Sequence, residues 1–192
     1  MSDETESLDL IRGVVGQSAQ GRQPGPEDFP QNVQINGGLW EWIVSLNGGD
    51  LSVPWSAEDL KLYGTPQSIA QVQIGYSVDA QGKPLPDWHA SWFVVGQLSG
   101  DPIIAMQGDS NCSVLFARHG SGKWSPQELA STPEQFVKSI KIWCDLFVVE
   151  FGKKIYNADF SIRTDFLARL GQGLGLILSE SQRATFMRMV DE

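Results

Sequence analysis

The sequence predicts an α+β fold: an antiparallel β-sheet meander with helices packed on one face and extra helices at the C-terminal end. Three observations lead there. Several β-rich apolar segments lie between residues 71 and 118, separated by short turn sequences. A helical face then runs from Pro133 to Glu150, and two more helical patterns follow it. Strands grouped before helices favour an antiparallel sheet covered on one side, since a parallel sheet would need a helix between each pair of strands.

Residues 1–36 read as an N-terminal arm or linker. A short helix over 3–15 places Leu8, Ile11 and Val15 at helical spacing behind a Ser2 cap, weakened by Gly13 and Gly16. Gln17 to Asn36 holds Gly21, Pro24, Gly25, Pro26 and Pro30, which neither helix nor strand accommodates in series. Leu39 to Leu46 is short and apolar, equally compatible with helix or strand, and ends at Asn47-Gly48-Gly49, residues that tolerate positive φ. Ser56 to Asp59 has the order of a helix cap before Leu60 and Leu62.

From Gln71 the period changes to two. Val72, Ile74, Tyr76 and Val78 alternate with Gln71, Gln73, Gly75 and Ser77, which predicts a strand with one face buried. Trp92–Gln97, Pro102–Met106 and Cys112–Arg118 are further strands, divided by Ser99-Gly100-Asp101 and Gly108-Asp109-Ser110-Asn111. In the helix over 133–150, Phe136, Ile140, Trp143 and Phe147 share a face, and Thr132-Pro133 supplies cap and first residue. Phe160–Leu170 and Glu180–Val190 complete the helices, the second introduced by Ser179 with Gln182 three residues on. Residues 37–150 thus form the α+β domain and 151–192 a C-terminal helical extension packed on it.

The net charge is −9, and residues 1–140 hold 7 of the 14 basic and 16 of the 23 acidic side chains. Such a field repels phosphate backbones, so direct nucleic-acid binding is not expected, and it would steer a basic partner inward. The same surface also serves solubility alone. Met1 to Asp9 carries four acids and no base, unlike a secretion signal, and no apolar run nears the roughly 20 residues that cross a bilayer. A cytoplasmic protein with no membrane association is expected, its two cysteines, Cys112 and Cys144, reduced and buried.

Chemistry-bearing residues are sparse. Cys112 and His119 could be drawn as thiol and base, but seven positions along one strand put them on opposite faces. Asp101 and Asp109 flank a strand and could pair as acid and base, although both stand in ordinary turn sequences. No zinc spacing occurs, Gly120-Ser-Gly-Lys123 lacks the glycine spacing of a phosphate loop, and Gly171-Gln-Gly173-Leu-Gly175 has no βαβ unit after it. The glycines read as caps and turns, and neither metal nor cofactor is expected. Of seven tryptophans, Trp40, Trp42, Trp92 and Trp143 read as core. Trp88 and Trp124 lie in turn-rich segments where a tryptophan serves equally as core or as a binding anchor.

The stretch Trp92 to Met106, then Val114-Leu-Phe-Ala-Arg-His-Gly120, Trp124 and Glu128-Leu-Ala130 leading into Phe136, resembles the SUKH superfamily, which includes the SMI/KNR type of cell-wall-synthesis regulator. In that pattern a strand leads through Gly-Asp into a second, and a third precedes a helix that packs on the sheet. Asn47-Gly48-Gly49 is similar to the family's upstream Asn-Gly turn. The likeness covers about residues 40–142. It implies a non-enzymatic protein-binding protein, most often an immunity protein that neutralises a cognate bacterial toxin such as a nuclease, with no catalytic residue carried over. An acidic surface suits a basic toxin. Partner contacts are expected from Trp88, His89, Asp101, Asp109 and Trp124. A regulatory or scaffold module is the alternative, and a hydrolase using Asp101, Asp109, Cys112 and His119 the remaining one.

Overall fold

The computed structural model describes residues 3–18, 22–29, 37–108, 111–120 and 122–190, with side chains of the first helix from Thr5 onward. The expected α+β architecture is present: the described residues form six strands in the order β1-β2-β3-β4-β5-β6, every neighbouring pair antiparallel. The strands are β1 (Leu51–Val53), β2 (Leu60–Leu62), β3 (Trp92–Leu98), β4 (Asp101–Met106), β5 (Val114–Phe116) and β6 (Gln127–Ala130). The helices are α1 (Asp3–Val15), α2 (Gly38–Ser45), α3 (Pro66–Val72), α4 (Pro133–Cys144), α5 (Thr164–Leu174) and α6 (Glu180–Val190). A 3-10 turn, Pro26–Asp28, interrupts the segment after α1, and α4 continues as a π-helical stretch, Asp145–Glu150.

Side-chain alternation divides the sheet into two faces. Phe93, Ile103, Ala105, Val114 and Phe116 point to an inner core that runs from Leu8 of α1 to Val190 of α6. Val94, Ile104 and Ala117 point to a smaller outer cluster. The long amphipathic α4 is the centre of the inner layer. Its Phe136, Ile140 and Trp143 are fully buried, and α1 packs beside it through Leu8 and Ile11. Trp143 stacks on Trp55 at 4.0 Å and donates from Nε1 to the Pro54 carbonyl at 2.8 Å, while Trp55 Nε1 donates to the Met189 carbonyl at 3.0 Å. Two indoles thereby tie the β1–β2 hairpin, α4 and the end of α6 together.

Two predicted caps form as expected. Thr132 Oγ1 accepts the Gln135 N–H at 3.1 Å. Ser179 and Gln182 bond reciprocally, each side chain accepting the other's backbone N–H at 3.3 and 2.8 Å. The turn between β3 and β4 is a two-residue hairpin with Ser99 at φ 51° and Gly100 at φ 84°. Positive φ at both central residues gives the connection whose twist matches the strands.

Several expectations need correction. No strand covers Gln71–Val78: α3 ends at Val72 and the backbone then turns, because Thr65 Oγ1 caps the Ser68 N–H at 3.1 Å and Pro66 opens a helix. Ser56–Asp59 turns the β1–β2 hairpin instead of capping a helix, and Leu60 and Leu62 are buried strand residues on either side of exposed Lys61. Leu39–Leu46 resolves to helix. The helix expected from Phe160 starts only at Thr164, since Tyr156 and Ile162 bridge a small hairpin whose tip holds Phe160 at φ 64°. Gly171 and Gly173 lie inside α5 and not in a cap. A Cβ on Gly173 would stand 2.9 Å from Ile142, so the glycine lets α5 approach α4.

Candidate functional site

The outer face carries the features of interest, and it begins with a shortage of strand. β2 pairs with β3 only at Gly96 and Gln97, with Tyr63 N–H reaching the Val95 carbonyl. The first half of β3 is left with polar backbone groups on that side. The Gln73 side chain replaces the missing strand: Val94 N–H donates to Gln73 Oε1 at 3.2 Å, and Gln73 Nε2 donates to the Val94 carbonyl at 2.9 Å. One amide side chain thus presents a donor and an acceptor as a peptide group would. Trp92 is closed by its own loop, donating to the His89 carbonyl and accepting from Trp88 Nε1 at 2.9 Å.

A groove of about 1200 Å³ opens beside this edge. Its walls are the exposed side of α3, with Gln67 and Gln71, and the irregular chain of residues 74–84, with Ile74 and Val78; Trp92 and Gln107 contribute to its lining. Ile74 is 51% exposed there. At one end the ion pair of Arg22 with Asp28, 2.5 Å, closes the rim. Asp79, the other carboxylate of the lining, accepts the N–H groups of Gln81 and Lys83 at 2.9 Å each, holding its own turn.

Next to the groove stands an aromatic cluster. Trp88 lies 5.5 Å from Trp124, 5.4 Å from Trp92 and 5.7 Å from Tyr76, with His89 5.5 Å from Trp92. The sequence-predicted residues Trp88, His89 and Trp124 therefore gather in one place. Trp88 itself is only 8% exposed, so it is a wall of the site and not a protruding anchor, and Trp124 is half-buried. Trp42 and Trp143 are core as expected, whereas Trp40 and Trp92 are half-buried.

Beyond Trp124 is a second depression, about 390 Å³, lined by Asp87, Arg118, His119, Lys123 and Trp124 together with glycines. Arg118 Nη2 donates to the Arg188 carbonyl at 3.1 Å. Asp101, at the first position of β4, is buried and holds His119 twice. One carboxylate oxygen accepts the His119 backbone N–H at 2.7 Å and also pairs with ring Nδ1. A carboxylate accepts only, so Nδ1 carries the proton and Nε2 is the ring nitrogen left for a ligand. The sequence places Asp101 among the partner contacts; in the fold its carboxylate instead orients the histidine that lines the depression. Asp109 lies outside the described residues.

The thiol and base do not meet. Cys112 is buried on the inner side while His119 is exposed on the outer. Cys144 is also buried, with burial pushing its thiol up to about 12, and neither cysteine forms a disulfide. Among the described residues no group of three or more His, Cys, Asp or Glu could hold a metal ion, and no helix is long and apolar enough to cross a membrane. Sequence reasoning missed Gln73, Arg118 and Lys123. For Gln73 the signal was Thr65-Pro66, which sets the helix that delivers it. For the cations it was three basic residues within six positions. Comparison with protein-family models, curated proteins and solved structures found no match.

Proposed function

We propose that this chain is a non-enzymatic binding protein that receives a segment of a partner protein in the outer-face groove, with neutralisation of a cognate toxin as its biological role. The observation that carries the reading is the character of the groove. It is large enough for several side chains, and amide and apolar groups dominate it. Its titratable groups are Arg22, Asp28 and Asp79, of which the first two pair with each other and the third holds a turn. Proton transfer or nucleophilic attack has no equipment there, whereas glutamine amides beside an exposed isoleucine suit recognition of polypeptide.

The backbone edge of β3 is closed by Gln73 and Trp88, so a partner strand would find no free donors or acceptors at Trp92 and Val94. Recognition then falls to side chains, through a helix or loop seated in the groove. The toxin-directed role draws on the SUKH resemblance and on the acidic excess of residues 1–140, which would speed encounter with a basic toxin.

The test is co-expression with the product of the neighbouring gene, followed by calorimetry of the purified pair at low salt. Restored growth and a measurable complex are expected, with Ile74→Asp weakening it about tenfold or more by placing a charge against a desolvated contact. No heat of binding at low salt refutes the proposal.

A further inference from the structure

Phe160 is the most exposed large apolar side chain among the described residues, at 86%. It stands at the tip of the hairpin bridged by Tyr156 and Ile162, at φ 64°, a conformation that strains a bulky residue and suits glycine or asparagine. The tip is firmly built. Asn157 donates its N–H to the Ser161 carbonyl at 2.8 Å, the Phe160 N–H reaches the Asn157 carbonyl at 3.1 Å, and Asp159 accepts the Ser161 hydroxyl at 2.6 Å. Its base is anchored by buried Ile155 and by Arg163, which pairs with Asp165 at 2.6 Å and stands over the Phe151 ring at 4.9 Å. Burial within the chain does not account for a rigid turn that holds a phenyl ring in water despite backbone strain, whereas a partner would find in it a preorganised anchor.

The geometry points to a second copy of this chain as that partner: the Phe160 hairpin of one copy seats in the outer-face groove of another. The inference rests on the groove being a protein-binding site, and it names what occupies the groove before a toxin does. Charge complementarity selects the occupant. Residues 1–140, which include the groove lining, hold 16 acidic and 7 basic side chains, whereas residues 141–192 hold 7 of each. At the foot of the hairpin Lys153 and Lys154 are exposed and form no ion pair among the described residues, while Glu150 pairs with Arg169 and Asp165 with Arg163. The hairpin end of one copy thus carries the cations that the acidic part of another attracts, whereas an anionic membrane would meet a chain of net charge −9 and repel it. The groove supplies the apolar half of the contact. Its volume of about 1200 Å³ offers Ile74, Val78 and Trp88 to the ring, and the amides of Gln67 and Gln71 to the peptide groups of the tip. Within one copy the two do not meet, because Ile155 and Ile162 root the hairpin in the inner core and the groove opens on the other face of the sheet. A toxin seated in the groove displaces the hairpin, so the self-contact covers Ile74 until the tighter partner arrives.

The test is sedimentation velocity on the full chain from about 10 to 500 µM, over which association by mass action should raise the weight-average coefficient. Phe160→Asn keeps a residue that accepts positive φ, so its urea midpoint should not fall, yet association should weaken about tenfold or more. Ile74→Asp should weaken it equally from the groove side. An equimolar mixture of the two variants should associate where neither does alone, because one retains the groove and the other the hairpin. A chain that stays monomeric over the whole range overturns the proposal, as does association indifferent to either substitution or a mixture that stays monomeric. Binding to phosphatidylserine vesicles that Phe160→Asn abolishes also overturns it, in favour of a membrane-facing tip. If self-association fails while Ile74→Asp still weakens the toxin complex, the groove reading stands alone. If the mixed pair forms and the toxin complex ignores Ile74→Asp, the self-contact stands and the toxin leaves the groove.

Discussion

Replacing Gln73 by leucine isolates the part played by a side chain standing in for a strand. Gln73 is 5% exposed and Val94 is fully buried, so water has no ready access to the groups they share. The leucine fills similar volume but leaves the Val94 N–H and carbonyl without partners and removes a third bond, from Nε2 to the Ile69 carbonyl at 3.1 Å. An orphaned buried backbone group costs about 1–3 kcal/mol, and the Ile69 carbonyl keeps its helical environment. Two such orphans, less about 1 kcal/mol for the added apolar burial, give a net destabilisation of about 1–5 kcal/mol. Gln17 provides the control, because it makes the same two-point contact with Ser52, donating at 2.6 Å and accepting at 3.1 Å, on the part-buried edge of β1. Water can replace it there, so Gln17→Leu should cost only about 0.5–1 kcal/mol. Urea unfolding should show the midpoint of Gln73→Leu falling with an unchanged slope, and amide exchange at Val94 should accelerate. A Gln73→Leu variant within about 0.5 kcal/mol of the parent, or a costlier Gln17→Leu, would refute the reasoning.

Stability should fall in alkali. Burial, ahead of the nearby Asp145 and Asp50 charges, raises Cys144 from 9.0 and Tyr63 from 10.0, each to about 12. Below pH 9 both groups are protonated in folded and unfolded chains, and their full contribution is present. Between 9 and 12 only the unfolded chain releases the protons, so the contribution is lost as pH rises. The urea midpoint should therefore decline from about pH 9, and Cys144→Ala should move the onset towards 10, where Tyr63 begins to act. Two glycines should respond in opposite directions. Gly13 lies inside α1, and a methyl group added to it would meet nothing within 4 Å, so Gly13→Ala should raise stability by about 0.5–1 kcal/mol in thermal unfolding. At Gly64 a Cβ would stand 2.4 Å from the Gly49 carbonyl oxygen, and Gly64→Ala should lower stability by about 1–3 kcal/mol in the same measurement.

What the sequence revealed followed the strength of its local physics. The helix at Pro133 is legible because Thr-Pro supplies its start and four aromatic or aliphatic residues share one face, which a buried helix requires. The identical Thr-Pro at 65–66 is masked by the alternation from Gln71 to Val78. That alternation has a real cause, since Val72 and Tyr76 both pack into the outer cluster, but the backbone reaches those places through a helix end and turns. β1, β2 and β6 are illegible because three or four residues hold too little pattern, and they exist by pairing, β1 with β2, β2 with β3 and β6 with β5. Trp88, His89 and Trp124 stand out one by one along the chain, yet only the long excursion from residue 73 to 91 shows why they meet. The Asp101–His119 pair is non-local in the same way: the strand between them crosses the sheet and returns.

The two faces of the sheet answer different demands, and this difference is the strongest reason to place function on the outer one. The inner face is sealed by helices, with large side chains such as Trp143, Phe136 and Phe166 fully buried, and a surface of that kind serves stability. On the outer face the cover is α3 and irregular chain, and its aromatic cluster seals only the middle. A fold needing no more than burial there could have extended β2 along β3 and laid another helix over Val94 and Ile104. Instead the β3 edge is closed by individual side chains, Gln73 and Trp88, which occupy less room than a strand. The space a strand would have filled remains open as the groove, and the same aromatic cluster borders the second depression. Closing the backbone with side chains is therefore what leaves room for a concavity beside a sheet edge whose donors and acceptors at Val94 are already paired.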